Sequence, residues 1–136
     1  MGEIAVRPVG QRCCVLPGEV RLNPEAAAVL ASDFRLLADP VRLQILDILA
    51  ERGGEVCVCD LEAAVPVKQP TVSHHLRLLL QSGAVTVVRR GLWAYYRLAP
   101  ADLEARRDRL QSLLQSFVPE GSTTTLSEAD HGTGTH

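Results

Sequence analysis

PTVSHHLRLLLQSGAVTVVRRGLWAYYRL, residues 70–98, is the stretch that decides the fold. Its first half repeats apolar residues with the spacing of a helix that buries one face, and Gly83 ends that helix. The apolar positions are Val72, Leu76, Leu79 and Leu80. The second half alternates on either side of Arg90-Gly91, which is typical of two strands joined by a tight turn. A helix followed directly by a hairpin predicts the second half of a winged helix-turn-helix.

Helices are also predicted on both sides of this stretch. Asn23 and Asp39 each precede a proline, and a polar cap followed by proline at the first helical position is a helix start. Gly53 ends the second helix, and a short third helix covers residues 59–65, since a proline follows it. A last helix spans residues 100–117. The fold class is therefore mainly α with a small β-hairpin wing, in the order ααααββα.

The chain divides into three parts. Residues 1–22 contain proline and glycine without periodicity and are predicted to form an N-terminal arm. Residues 23–118 form the winged-helix domain, and residues 119–136, rich in Gly, Ser, Thr and acidic residues, are predicted to be disordered. The chain shows no secretory signal and no run of about 20 apolar residues. We therefore expect a cytoplasmic protein without a membrane partner.

The distribution of charge predicts a polyanionic partner, although the formal net charge is only -2. Residues 66–100 contain no Asp or Glu and carry five positive side chains, so all sixteen acidic residues lie elsewhere. A continuous positive stretch is typical of a surface that faces phosphates. The alternative is an ordinary solvated surface.

The start of the helix at residue 70 is expected to read DNA, because the second helix of a helix-turn-helix enters the major groove with its N-terminal residues on base edges. The wing arginines, including Arg97, would contact phosphates or the minor groove. Plain surface polarity is the alternative for each residue. His75 is expected to be a packed, hydrogen-bonded residue at the core edge instead. The predicted DNA-binding residues are Gln69, Thr71, Ser73, His74, Arg77, Arg89 and Arg90.

Four cysteines form two pairs, Cys57 with Cys59 at the entrance to the third helix and Cys13 with Cys14 in the arm. In a reducing cytoplasm they are expected to be ligands or reactive thiols, and a helix start favours the thiolate. Thiolates select soft ions; trivalent arsenic is satisfied by three of them, whereas zinc takes four ligands. The alternatives are small buried hydrophobes for single cysteines, and chance for the pair in the arm.

Four segments resemble the signatures of the ArsR/SmtB family. They are DPVRL at residues 39–43, EVCVCDL at 55–61, QPTVSHHL at 69–76 and RGLWAYYRL at 90–98. The resemblance covers about residues 36–98 and implies a homodimeric winged-helix repressor that leaves its operator when a metal binds.

The resemblance also implies where the metal binds. CVCDL is similar to the site that arsenic, cadmium and lead sensors of the family have on the third helix. Some arsenic sensors have a further cysteine three positions later, where this chain has Glu62. Other members complete the site from the arm, often across the dimer, and the adjacent Cys13 and Cys14 fit the arsenic type. The zinc type with ligands on the last helix is disfavoured, since residues 102–117 contain no histidine.

A two-fold dimer through the first and last helices would place two recognition helices one DNA turn apart, so the expected operator is an imperfect inverted repeat of double-stranded DNA. The expected inducer is trivalent arsenic or antimony, which would tie the arm to the third helix. Cd, Pb or Zn as inducers, and a redox or persulfide switch, remain open. We expect no enzyme, no catalytic residue and no catalytic cofactor. The predicted interface residues are Leu30, Phe34, Leu103, Leu110 and Leu114.

Overall fold

A computed structural model describes residues 22–118 and Gly121. Its elements are α1 (Pro24–Leu37), α2 (Pro40–Arg52), β1 (Val56–Cys57), α3 (Val58–Ala64), α4 (Gln69–Ser82), β2 (Val85–Arg90), β3 (Trp93–Leu98) and α5 (Pro100–Phe117). The predicted winged helix-turn-helix is confirmed, with β1 as an element that the sequence did not predict. The arm and the tail lie outside the described residues except for Leu22 and Gly121, so both stay predictions.

Side-chain caps start the first two helices as their sequences predict. Asn23 Oδ1 accepts a hydrogen bond from the amide of Ala26 at 2.8 Å. Asp39 Oδ1 accepts from the amides of Val41 and Arg42 at 2.9 and 3.2 Å. Such a cap stabilises a helix by about 1 kcal/mol. Gly83 ends α4 with a φ of 87°, a left-handed conformation that other residues adopt only under strain.

The hairpin belongs to a three-stranded antiparallel sheet in the order β1-β3-β2. Arg90 pairs with Trp93, so Gly91 and Leu92 form the turn, one residue later than the sequence pattern suggested. Gly91 has a φ of 61°, which a two-residue turn of this kind requires. On β3 the buried side chains are Ala94 and Tyr96, whereas Trp93 is 54% exposed.

The core lies between α2, α3, α4 and the sheet. It is almost entirely aliphatic, and its fully buried side chains include Ile45, Leu49, Leu61, Val72, Leu76, Leu79 and Val85. The predicted apolar positions of α4 are confirmed, with Leu80 half-buried beside the cluster. From α1 only Leu36 joins this cluster, and from α5, which has no fully buried residue, only the half-buried Leu103 packs against it. The two outer helices therefore need another means of attachment.

An ion-pair network provides that attachment. Asp33 of α1 is only 1% exposed, and its carboxylate accepts hydrogen bonds from Arg106 and Arg109 of α5 at 2.8–2.9 Å. Arg106 also donates to Asp102 and to the carbonyl of Ser82 at the end of α4, both at 2.7 Å. The hydrogen bond from Arg109 is the main cause that lowers the pKa of Asp33, and it outweighs the opposing effect of burial. The network joins α1, α5 and the end of α4.

Beyond this network, α1 and α5 present what we call the outer apolar face. Leu30, Leu103 and Leu110 are half-buried, and Phe34 and Leu114 are 42% and 52% exposed. Apolar grooves along α5 continue this surface. Contiguous exposed apolar surface of this kind marks an interaction site. Within residues 22–118, no helix is both long enough and apolar enough to cross a membrane.

We predict that Asp33→Asn lowers the free energy of unfolding by about 3 kcal/mol at neutral pH, in urea denaturation at a fixed protein concentration. This is the lower end of the range for breaking a buried ion pair, because the side chain of Arg109 is 39% exposed and can turn to water. Asp108→Asn is the control, since both partners in its pair with Arg107 are exposed; it should change stability by less than about 1 kcal/mol.

The difference in stability between the unchanged protein and Asp33→Asn should also depend on pH. Because folding lowers the pKa of Asp33, its contribution is complete above the unfolded value of about 3.9 and disappears as the pH falls through the lower folded value. The difference in free energy of unfolding between the unchanged protein and Asp33→Asn should therefore be constant above about pH 5 and should disappear in acid. A gap that widened in acid would contradict the assignment.

Candidate functional site

The helix α4, which the sequence predicts to be the DNA-reading helix, has one buried and one open face. Val72, His75, Leu76 and Leu79 are buried, and Gly83 caps the end of the helix. The five predicted DNA-binding residues of this helix all lie on the open face. They are Gln69, Thr71, Ser73, His74 and Arg77, and each is exposed. The core thus fixes which side chains of α4 a DNA groove could meet.

The two neighbouring histidines differ as the helical spacing predicts. His74 is exposed and His75 is 9% exposed, so the packed position of His75 is confirmed. Its expected hydrogen bond is not found. Nε2 lies 3.6 Å from Asp39 Oδ1, beyond hydrogen-bond distance, and Nδ1 has no partner among the described residues. The helical period fixes the direction of a side chain, but it cannot supply a partner from another element.

The wing places Arg89 beside α4. Arg89 and Arg90, at the end of β2, are exposed, as is Arg97 on β3. Ser73, Arg77 and Arg89 line one cleft of about 380 Å³ between α3, α4 and the hairpin. Two guanidinium groups and a hydroxyl on one cleft can bind phosphate oxygens.

Arg90 has an acidic partner that the sequence did not reveal. Its Nη1 and Nη2 atoms donate to the two carboxylate oxygens of Glu55, the second bond at 3.1 Å, and its guanidinium lies 5.1 Å from the ring of Tyr95. The bond from Arg90 holds the pKa of Glu55 below its usual value. The stretch without acidic residues is therefore not free of acidic neighbours in space. A chain separation of 35 residues gives no local signal for this pair.

The thiol pair, Cys57 and Cys59, sits where β1 turns into α3. Cys57 is the last residue of β1, opposite Tyr95 on β3, and it is half-buried, whereas Cys59 in the first turn of α3 is exposed. The thiol of Cys59 donates to Cys57 Sγ at 2.7 Å. Both sulfur atoms can therefore bind one ion. Cys13 and Cys14 lie outside the described residues.

The expectation of a lowered thiol pKa at this helix start is wrong for Cys59. Its thiol donates to Cys57, and this hydrogen bond, with partial burial and the nearby charge of Asp60, raises its pKa. A hydrogen bond that the neutral thiol donates favours the protonated form, and here it outweighs the helix start.

Two thiolates side by side fit a soft ion but do not complete its coordination. In the part of the chain that the structure describes, no group of three His, Cys, Asp or Glu side chains could hold a metal ion. Glu62, at the position where the resemblance implies a further cysteine in some arsenic sensors, instead lines the cleft beside Ser73 and Arg77. Any third or fourth ligand must come from other residues or from a partner.

The chain resembles known regulators over this region. Residues 39–87 match the family model described as "Bacterial regulatory protein, arsR family". The arsenical resistance operon repressor of Escherichia coli (strain K12) is 48% identical over 67 residues, which cover 49% of this chain and 56% of that protein. The chain therefore spans just over half of that relative. The arsenical resistance operon repressor of Staphylococcus aureus is 38% identical over 84 residues, which cover 62% of this chain and 76% of that protein.

A solved structure shares the fold. The homodimeric winged helix-turn-helix DNA-binding domain of a "possible ArsR-family transcriptional regulator" from Mycobacterium bovis is 30% identical, with a TM-score of 0.52. The match covers 76% of this chain and 94% of that chain. These relatives are named as repressors and regulators, in agreement with the prediction that the chain is not an enzyme.

We predict that phenylarsine oxide, an arsenical with two positions open to thiolates, binds the thiol pair even when Cys13 and Cys14 are replaced by Ser. The two sulfur atoms are already in contact, so little rearrangement is needed. Mass spectrometry of the intact protein and its peptides would show one bound arsenical joining both cysteines.

A further Cys57→Ser or Cys59→Ser change is the matched control and should abolish the bidentate adduct. Adducts on only one thiol in the parent variant would show that the pair does not act as a chelating unit.

Proposed function

The chain belongs to the arsR family of bacterial regulatory proteins, and from this premise we propose that it is a transcriptional repressor that binds operator DNA as a homodimer and is released by trivalent arsenic or antimony. The observation that carries the proposal is the thiol pair at the start of α3. That helix packs directly against the recognition helix α4.

The DNA-facing surface consists of the open face of α4 and the wing. Gln69, Thr71 and Ser73 can hydrogen-bond base edges, and Arg77 and Arg89 can bind phosphates. This division would give α4 the sequence-specific contacts and the arginines most of the salt-dependent affinity. A two-fold dimer would read an imperfect inverted repeat.

The outer apolar face is the proposed dimer interface. Leu30, Phe34, Leu103, Leu110 and Leu114 lie there with side chains that are only partly covered. The Mycobacterium bovis domain, which shares the fold, is homodimeric. A second copy of the chain would bury this apolar surface and fix the distance between the two recognition helices.

The proposed inducer is a soft metalloid held by thiolates. Both curated relatives described above are named as arsenical resistance operon repressors. Cys57 and Cys59 supply two ligands, and we assign the remaining ones to Cys13 and Cys14, from the same chain or its partner. Reduced thiols are required, so we place the protein in the cytoplasm.

Release would follow from a change at α3. An arm tied to the start of this helix would pull on an element that contacts both α4 and β3. The coupling needed for an ordinary allosteric effect is about 1–3 kcal/mol, and DNA must weaken inducer binding by the same amount.

We predict that Arg77→Gln weakens binding to DNA from the promoter of its own gene and lowers the slope of log K against log salt by about 0.9, the value of one phosphate contact. Fluorescence anisotropy of labelled DNA across a salt series measures both. Arg52→Gln is the matched control, because Arg52 is exposed at the end of α2 and is not among the residues assigned to the DNA-facing surface. An equal effect of both changes would mean that only net charge matters.

We predict that arsenite and antimonite release the reduced protein from this DNA, and that Cys57→Ser, Cys59→Ser or the double change Cys13→Ser/Cys14→Ser abolishes the release. Anisotropy during a titration of arsenite, antimonite, Cd, Pb and Zn measures it. Release by Cd, Pb or Zn alone would keep the repressor and replace the inducer. Release by oxidant alone would make the thiols a redox switch.

A further inference from the structure

We propose that Glu55 is a built-in competitor of DNA: its carboxylate holds the wing residue Arg90 and must give it up when Arg90 meets a phosphate. The inference rests on the proposed function, since it requires the wing to contact DNA. It adds a residue that lies on neither the recognition helix nor the thiol pair.

The geometry of the pair is that of carboxylate recognition. Both Nη atoms of Arg90 donate to Glu55, one to each carboxylate oxygen. The same fork of donors is what arginine uses to bind a phosphate in a bidentate manner. One guanidinium cannot offer this edge to both partners, so a phosphate that binds the same two Nη atoms must displace the carboxylate. The negative charge of Glu55 also opposes the approach of the phosphate.

The two adjacent wing arginines differ in this respect. Arg89 has no ion pair with any described residue, and it lines the cleft beside Arg77. Arg90 lies over Tyr95 and faces Glu55. Of these two adjacent arginines, Arg89 is therefore unpaired among the described residues and Arg90 is restrained. The side chain of Arg90 is still 58% exposed, so a phosphate can reach it without unfolding the hairpin.

The position of Glu55 ties this competition to the thiol strand. Glu55 directly precedes β1, whose two residues pair with Tyr95 and Tyr96 of β3. Cys57 is the residue opposite Tyr95, the ring over which Arg90 lies. A displacement of β1 relative to β3 would thus change how closely Glu55 holds Arg90.

The test is a double-mutant cycle of Glu55→Gln and Arg90→Gln, measured as binding to promoter DNA over a salt series. We expect Glu55→Gln to tighten binding by about two- to fivefold, the range for releasing an exposed ion pair. Its log–log salt slope should steepen by about 0.9, because Arg90 then contributes a full unpaired charge. When Arg90 is already replaced by Gln, Glu55→Gln should change the affinity for DNA only by the effect of removing one negative charge.

Glu51→Gln, which removes the same charge from α2 and breaks no ion pair among the described residues, is the matched control for charge. Its effect should be smaller than that of Glu55→Gln and the same with or without Arg90. Weaker binding by Glu55→Gln would show that the pair holds the wing in its binding position, and would overturn the proposal. Equal effects in both backgrounds would also overturn it. If the unchanged protein failed to bind promoter DNA at all, the proposed function would fail, and this inference with it.

Discussion

The carboxylate of Asp33, buried between Arg106 and Arg109, holds the two outer helices on the domain. Among the described residues, only Leu36 of α1 belongs to the buried core and only Leu103 of α5 packs against it, so this network adds to a small hydrophobic contact. Arg106 also reaches the carbonyl of Ser82, at the end of the recognition helix. The layer proposed for dimerisation and the helix proposed for DNA reading therefore share one polar junction. In a repressor whose specificity depends on the distance between two reading helices, that junction would help to set the distance.

The buried side chains of α4 determine which of its faces is open to solvent. Val72, Leu76 and Leu79 fix its rotation, and this leaves a row of short polar side chains and Arg77 toward solvent. Short side chains at the start of the helix suit close approach to base edges, whereas long arginines on the wing suit phosphates. The packing of the core thus determines which side chains of α4 are available for contacts with bases.

The sheet connects two parts of the molecule that look independent in the sequence. The thiol pair sits at the junction of β1 and α3, and β1 is bonded to β3 of the wing. In the proposed repressor, a change at the thiols would therefore have two routes to the DNA-facing surface, one through α3 and α4 and one through β1 and the hairpin. The Glu55–Arg90 pair lies on the second of these routes.

The sequence alone determined the helices, the hairpin, the open face of α4 and the thiol pair, because caps, glycines, periodicity and close spacing act within a few residues of chain. Only the tertiary structure decided the two-residue strand β1, which is too short for any pattern, and the partner of Arg90. It also decided the raised pKa of Cys59, where a hydrogen bond overrides a helix start. Asp33 meets Arg106 and Arg109 across more than 70 residues. No local rule can pair charges at such separations, because the fold alone brings them together.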